Sequence, residues 1–550
     1  MSHAQDLKQT IRGEVDDSIQ ARTLASHDAS IFSIMPEVVL YPENVGDVEK
    51  IVSYVGEKKK NGEHVSVTAR SAGTDMSGGP LNDSIIVDFT KHFNHLKELG
   101  DDYAVVEPGM YYRDFDKETL KKNLILPCYT ASREINTVGG MVGNNSGGEK
   151  NLKYGKTARY VKELEIVFAD GKAHTIKPLS PDELEAKCKE ENFEGEIYKK
   201  IKALIDNNKD VIEKNKPTVS KNSSGYALWD VIDKDGNFDL TKIITGSQGT
   251  LGLVTKIKFS LVKPKPHSAM VVIFLKDLTE LGHITNAVLA HGPESFESYD
   301  DHTFALAVKY FPEFAAQMKA GIISLGFQFL PEVMMVLMGG VPKLVLLAEF
   351  TGDTSEEALK QAQVMAKEIT EKFHVPIKLA KNEQEARKYW VIRRESFNLL
   401  RKKVRKLKSA PFIDDFVVSP NYLPEFLPKL YAILEKYKHI TYTVAGHVGD
   451  GNFHIIPLMD FNRPDLEQTI DTLSHEVYDL VVSYKGSITG EHNDGLIRTP
   501  YIEKMFGKEM TNLFSEIKNI FDPLSIFNPG KKTGTTFEGA MRQLDRSQKK

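Results

Sequence analysis

Five glycines, at positions 139, 140, 143, 147 and 148, fall within one ten-residue span of the stretch ASREINTVGGMVGNNSGG (Ala131 to Gly148). Glycine loses more conformational freedom on folding than any other residue, so this density is expected only where the backbone must be approached closely. A flat or anionic ligand laid against the chain would require it, and so would tight helix packing or a run of turns. Two further stretches share the character. RSAGTDMSGG (Arg70 to Gly79) lies between the strand-like runs Val65–Val67 and Ile85–Phe89. Its glycines, with the hydroxyls of Ser71, Thr74 and Ser77, could turn backbone N–H groups toward a phosphate, although Gly and Ser are also ordinary turn formers. GSQGTLGLVTKIKFSLV (Gly246 to Val262) leads a third Gly-rich turn into an alternating strand.

A second constraint lies in AGHVGDGNFH (Ala445 to His454), where two histidines flank a Gly-Asp-Gly-Asn cluster. Asp-Gly between strand-type residues is a strong hairpin signal. With Asp450-Gly451 as a two-residue turn, Gly449 pairs with Asn452, Val448 with Phe453 and His447 with His454. Facing Cβ atoms lie about 5 Å apart, which would let both imidazoles reach one ion. GEHNDG (Gly490 to Gly495) adds a carboxylate at Glu491 and another imidazole at His492. Two imidazoles and a carboxylate with an open position form a common catalytic metal set. His492, beside a ligand, has the right chemistry for a base near neutral pH, with a structural hydrogen-bonded histidine as the alternative.

Composition narrows the class. The 550 residues are 41% hydrophobic and 27% charged, a soluble globular balance that length alone would divide into several domains. The formal net charge is −5, which offers no electrostatic case for nucleic acid. Only Cys128 and Cys188 are present, which excludes a disulfide framework and a cluster ligated by four cysteines of this chain. A reducing cytoplasm is expected, and the charged start lacks the apolar core of a secretory signal. Gly321 to Leu347 is the most apolar region, but Pro331, Glu332, Pro342 and Lys343 interrupt it before a span of ~20 residues is reached. A buried or interface helix pair is expected there. Met334, Met335, Leu337 and Met338 leave open a partner contact or a peripheral one on the inner face of a membrane.

Periodicity predicts a mixed α+β chain. A helical lead-in over 1–35 precedes a first domain over 36–264, in which 178–235 reads as a charged, helical insertion. Pro264 and Pro266 mark a boundary to a second α+β domain over 265–500, and 501–550 is a helical C-terminal segment.

The three Gly-rich stretches in this order, followed by HxGDGNxH and GEH, resemble the FAD-linked oxidases and dehydrogenases. Their FAD-binding domain is of the vanillyl-alcohol oxidase and p-cresol methylhydroxylase (PCMH) type. The second half resembles the D-lactate dehydrogenase, D-2-hydroxyglutarate dehydrogenase and glycolate oxidase flavin-subunit group. The resemblance covers about residues 28 to 532. It implies a two-subdomain FAD-binding domain, a cap domain for substrate and metal, and a C-terminal segment returning to the FAD domain. Ser71, Ala72, Gly73, Thr74, Asp75 and Ser77 would cradle the FAD pyrophosphate. Ser132, Thr137, Val138, Gly139 and Gly140, then Asn144, Ser146, Gly147 and Gly148, would follow the flavin and ribityl chain. Gln248, Gly249, Thr250 and Val254 would also contact FAD, and Asn528 would lie near the isoalloxazine. His447, His454 and Glu491 would hold a divalent metal, zinc first, with manganese or iron as alternatives. His492 would be the catalytic base, and Arg393 and Asn452 would bind substrate.

The sequence departs from the pattern in instructive places. Gln248 stands where Glu is usual, and Asp75 places an anion in the pyrophosphate loop unless its side chain turns away to cap a neighbouring turn. Asn493 replaces a Gly, which Asn tolerates in a left-handed conformation. Thr74 stands where relatives with attached flavin have His, so non-covalent FAD is implied. KNSSGYALWD (Lys221 to Asp230) looks like relatives that carry an iron–sulfur half, and this chain is expected to work without one. A separate acceptor is therefore expected: an iron–sulfur protein, an electron-transfer flavoprotein or a quinone. A homo-oligomer is expected as well.

The expected reaction is oxidation of a D-2-hydroxy acid, with hydride passing to flavin N5. Arg393 shares an apolar helical face with Trp390, Phe397, Leu400, Val404 and Leu407, where a guanidinium needs an anion. A substrate carboxylate or an internal Asp or Glu would serve. Arg401 to Lys408 reads as a solvated basic face. PFIDDFVV (Pro411 to Val418) offers two aspartates where the 2-hydroxyglutarate enzymes use a lysine, which favours D-lactate or another monocarboxylate. Two alternatives remain: a non-redox flavoenzyme resembling alkylglycerone-phosphate synthase, and a non-catalytic, metal-stabilised binding subunit.

Overall fold

A computed structural model describes residues 2–304, 340–380, 382, 385–394 and 407–546. The expectations for residues 321–339, for Phe397, Leu400 and Val404, and for the basic run 401–406 lie outside the described residues. No helix among those described is long and apolar enough to cross a membrane.

The first domain is built on two sheets. Val38–Tyr41, Ile85–Asp88 and Val67–Arg70 run parallel, with Ile85–Asp88 in the middle. Val45–Lys60 crosses between the first two strands of that chain order as a helix. It buries Val48, Ile51, Val52 and Val55 at helical spacing, and the Asn44 side chain caps its start by accepting from the Asp47 N–H. Glu14–Asp16 pairs antiparallel with Val38–Tyr41, so the lead-in is not purely helical but supplies an edge strand of this sheet. The second sheet is antiparallel, in the order Leu96–Leu99, Tyr103–Val106, Leu253–Ser260, Val161–Val167, Ala173–Ile176. Helices Phe193–Asn207 and Ile502–Phe521 pack into one core with it, which sets the C-terminal helix against the first domain.

A seven-stranded antiparallel sheet forms the second domain, in the order Ile377–Leu379, His267–Leu275, Leu344–Gly352, Ser295–Asp300, Val444–His447, Asn452–Ile455, Phe416–Val417. Helices Leu281–Ala290, Ser355–Phe373, Leu423–Leu434 and Leu466–Ser483 share the core on one face, with Phe296, Val444, Phe453 and Ile455 pointing into it. The alternate residues Glu297, Tyr299, Ala445 and His447 therefore point to the other face. That face carries the site.

The hairpin register differs from the sequence expectation by two residues. His447 pairs with Asn452 and Ala445 with His454, leaving a four-residue loop of a 3-10 turn, Val448–Asp450, and a left-handed Gly451. Tertiary contacts select the wider loop: Val448 is fully buried in the second-domain core, and Asp450 reaches Lys221 at 3.4 Å. A shift of one residue would have sent one imidazole to the far side, whereas two preserves the face. The two rings still meet, with centroids 5.2 Å apart.

After Phe521 the chain returns to the first sheet. Val67 N–H donates to the Ile526 carbonyl (2.7 Å) and Asn528 N–H to that of Val67 (2.9 Å). At Gly451 a Cβ would stand 1.7 Å from the Val418 carbonyl oxygen, at a φ of +67°. Gly451→Ala should therefore lower stability by roughly 2 kcal/mol or more, read as a drop in the urea midpoint at unchanged slope.

Candidate active site

The hairpin and the GEH turn deliver three donors to one point. His447 Nε2 lies 3.3 Å and His454 Nε2 3.4 Å from the same Glu491 oxygen, Oε1. All three donor atoms fall within 4.8 Å of one another. Each imidazole is oriented from behind by a carboxylate: His447 Nδ1 meets Glu297 at 2.7 Å, and His454 Nδ1 meets Asp414 at 3.2 Å. Such outer carboxylates fix the tautomer that leaves Nε2 free to bind metal, so this donor set fits a divalent ion. The second oxygen of Asp414 lies 2.6 Å from His492 Nδ1, which holds the proton there and leaves Nε2 as the basic atom. Asp415 secures the turn itself, accepting from the N–H groups of Glu491 (2.8 Å) and His492 (2.7 Å).

These charges are buried, and their partners decide their state. Burial raises the Glu491 carboxyl, but Lys221 and His447 more than offset it and hold it well below the usual range. Lys221 is itself fully buried, 3.1 Å from Glu491 Oε2. Burial lowers its ammonium, and Glu491 and Asp450 reverse this to a net rise. Burial likewise opposes protonation of His454, but Asp414 and Glu491 carry it up to about 10. His492 is raised against burial by Asp414 and Asp415. The pocket thus favours positive charge at His454, and a divalent cation would take the place of that proton, since imidazole binds metal in its neutral form.

The three Gly-rich loops and this cluster line one cavity of about 380 Å³. Glycine serves two purposes in the bed. A Cβ at Gly139 would stand 2.5 Å from Pro108 and one at Gly148 2.1 Å from the Tyr129 carbonyl, so these two allow close packing. At Gly143 it would meet nothing within 4 Å, leaving that backbone open to a ligand. Asp75 does not face a phosphate as a bare anion. Its Oδ2 caps the loop by accepting from the N–H groups of Ser77 (3.0 Å) and Gly79 (2.8 Å), and its Oδ1 accepts from Asn144 (2.7 Å). Gln248 uses both ends of its amide. Nε2 donates to Ser77 Oγ (3.1 Å) and Asn144 Oδ1 (3.3 Å), while Oε1 accepts from Gly495 N–H (2.8 Å). A glutamate would lose the two donations, so Gln is matched to this bed. Asn493 adopts the left-handed φ of +68° that its replacement of glycine calls for. The donors and open glycine backbone fit FAD.

Most residues named from the sequence line the cavity: Ser71, Ala72, Gly73, Thr74, Asp75, Ser132, Thr137, Gly139, Gly140, Asn144, Ser146, Gly147, Gly148, Gln248, Gly249, Arg393, His447, His454, Glu491 and His492. Six do not. Ser77 and Thr250 are buried and engaged with neighbouring loop groups, Val138 is buried in its helix, and Val254 lies within a strand. Asn528 stands behind the bed, donating to the carbonyls of Gly79 (2.9 Å) and Gln248 (2.6 Å). Asn452, expected to bind substrate, is fully buried, with its amide nitrogen donating to Asp415 (3.0 Å) and Phe416 (3.1 Å). Arg393 borders the cavity and also meets an internal anion, Glu297, at 2.9 Å.

Lys221, Glu297 and Asp414 were not singled out as site residues from the sequence. Each is a polar residue whose only role is toward partners distant in the chain. The adjacent aspartates of IDD, which stand where the 2-hydroxyglutarate enzymes use a lysine, are both fully buried behind the histidines. Because Lys221 neutralises a buried carboxylate, Lys221→Met should cost about 3–5 kcal/mol, with Lys221→Met/Glu491→Gln recovering part of it in a thermal melt.

Comparison with known proteins agrees with this arrangement. Residues 36–177 match the model described as "FAD binding domain" and residues 264–532 that described as "FAD linked oxidases, C-terminal domain". The chain is 26% identical to the D-2-hydroxyglutarate dehydrogenase of Pseudomonas putida, over 94% of this chain and 50% of that protein. It is 27% identical to glycolate oxidase subunit GlcD of Bacillus subtilis, over 94% and 93% of the two chains. It therefore spans about half the length of the first of these relatives and nearly all of the second. Its fold resembles that of p-cresol methylhydroxylase with a TM-score of 0.66 at 16% identity, covering 97% of this chain and 96% of that one. By both of its domains, the chain belongs to the FAD-linked oxidase and dehydrogenase family.

Proposed function

We propose that the protein oxidises a D-2-hydroxy acid to the 2-keto acid, using non-covalent FAD and a divalent ion held by His447, His454 and Glu491. The observation that carries the reading is the double use of Asp414. One buried carboxylate orients both an imidazole of the candidate metal set and the imidazole of His492, in the wall of the cavity that the Gly-rich loops also line. The names of the relatives, D-2-hydroxyglutarate dehydrogenase and glycolate oxidase subunit, support the same substrate class.

FAD supplies the acceptor for the two electrons leaving C2, and the ion supplies positive charge that lowers the pKa of the hydroxyl. Zinc suits the donor set, which manganese and iron share. The chain's own residues do the rest. Arg393 presents a guanidinium to the substrate carboxylate, and Glu297 positions it while steadying His447 through its other oxygen. His492 takes the hydroxyl proton at Nε2, and Asp414 stabilises the resulting charge. Lys221 keeps Glu491 ionised without entering the cavity. Reoxidation of bound FAD would need an electron acceptor, for which an iron–sulfur protein, an electron-transfer flavoprotein or a quinone would serve. A lactate-like substrate is expected because Asp414 and Asp415 stand where the 2-hydroxyglutarate enzymes use a lysine; both aspartates face histidines and backbone, so they present no repulsion to a second carboxylate on the substrate.

Anaerobic addition of D-lactate, D-2-hydroxyglutarate and glycolate to the yellow protein should bleach the flavin with at least one of them; no bleaching by any 2-hydroxy acid rejects the oxidation. His492→Ala should slow that reduction by about 10²–10⁴-fold while FAD stays bound, judged by its visible spectrum. Removing metal with a chelator should abolish reduction without releasing FAD, and zinc or manganese should restore it; full activity in metal-free protein would exclude the ion's role.

A further inference from the structure

A second cavity of about 230 Å³ adjoins the first, and Glu149 and Arg394 line both. Arg394 holds Glu149 through two donors, Nη2 at 2.6 Å and Nε at 3.1 Å, on its two carboxylate oxygens. The guanidinium also lies over the Trp390 ring, 4.5 Å from its centroid, which fixes its plane in the shared wall. Arg133, Lys150 and Lys265 line the second cavity with Arg394, beside Glu149 and Glu349; Lys150 also pairs with the buried Glu294 at 2.7 Å and Lys265 with Asp353. Burial pushes the Glu349 carboxyl up to about 7, so it opposes these cations with only part of a charge near neutral pH.

We propose that Arg394 receives the distal anionic group of a dicarboxylic 2-hydroxy acid, which displaces Glu149 and reaches toward this second cavity. The proposal rests on the oxidation described above and assigns its substrate class. A carboxylate can replace Glu149 on the guanidinium with the same paired geometry, conserving both hydrogen bonds. The methyl group of a lactate-like substrate has nothing to exchange. Arg393 and Arg394 are adjacent on one helix, with Cα atoms about 3.8 Å apart. Their guanidinium groups have separate anions, Glu297 for one and Glu149 for the other, so one diacid can engage both.

The chain has two tryptophans, so Trp229→Phe leaves Trp390 as the single reporter beside Arg394. In that holoenzyme, glutarate, which has no hydroxyl to oxidise, should change Trp390 emission saturably, and Arg394→Gln should remove the response. In turnover, the kcat/KM ratio of D-2-hydroxyglutarate to D-lactate should fall at least tenfold in Arg394→Gln and rise in Glu149→Gln. Should Arg394→Gln fail to fold, Arg394→Lys, which keeps the charge and loses the fork, should lower the ratio. An unchanged ratio across these variants, oxidation of D-lactate alone by the wild type, or no response to glutarate overturns the proposal. If neither acid bleaches the flavin, the oxidation reading fails, and the glutarate titration, which needs no turnover, decides the anion subsite by itself.

Discussion

The arrangement depends on a single buried carboxylate. Glu491 has two imidazoles on one oxygen and the Lys221 ammonium on the other; Glu491, His447 and Lys221 are buried, and His454 is partly so. Leaving any one unpaired would cost several kcal/mol, so the folded chain must bring all of them together. They come from three separated stretches: KNSSG in the first domain, the hairpin of the second, and the GEH turn. The same logic repeats nearby. Asp494 accepts from Ser224 Oγ (2.7 Å) and Gly225 N–H (2.8 Å) and pairs with Lys532 (3.0 Å), while Lys156 donates to the Gly490 carbonyl (2.7 Å). The two domains are therefore joined by satisfied charge as well as by apolar packing. Relative motion between them would expose these partners or leave them unpaired in a low-dielectric setting.

Much of the architecture is legible in the chain because its signals are local. Alternation along Leu253–Ser260 and helical spacing in Val45–Lys60 report which face of each element is buried. Glycine density located the bed, and imidazole and carboxylate types located the donors. The hairpin shows where local reasoning stops. Asp-Gly favours a two-residue turn, but burying Val448 and pairing Asp450 with Lys221 outweigh that preference. The face survived because the slip was even-numbered. Asn452 shows the same limit for role: its type suits a substrate contact, and only the packed structure commits its amide to Asp415.

Residues that orient others leave no periodic mark. Glu297 sits in an alternating strand as one inward residue among several, and nothing local says that it joins Arg393 to His447. Lys221 lies in a stretch read as an insertion, yet it is among the most buried side chains of the protein. A lysine at zero exposure signals a partner of opposite charge, but the exposure emerges only once distant segments are assembled. The Gln248 amide likewise becomes informative only when Ser77, Asn144 and Gly495 are seen around it.

The Asn528 side chain has a consequence for the order of assembly. It accepts from Thr68, 460 positions earlier, and clasps the carbonyls of Gly79 and Gln248, so it closes the back of the flavin bed. Contacts of such sequence separation form late, because loop closure must be paid for before they stabilise anything. During synthesis the Gly-rich loops emerge long before their clasp does. A tightly held flavin is therefore a product of the completed chain, and nascent first domains pass through a stage in which the bed is open at its rear.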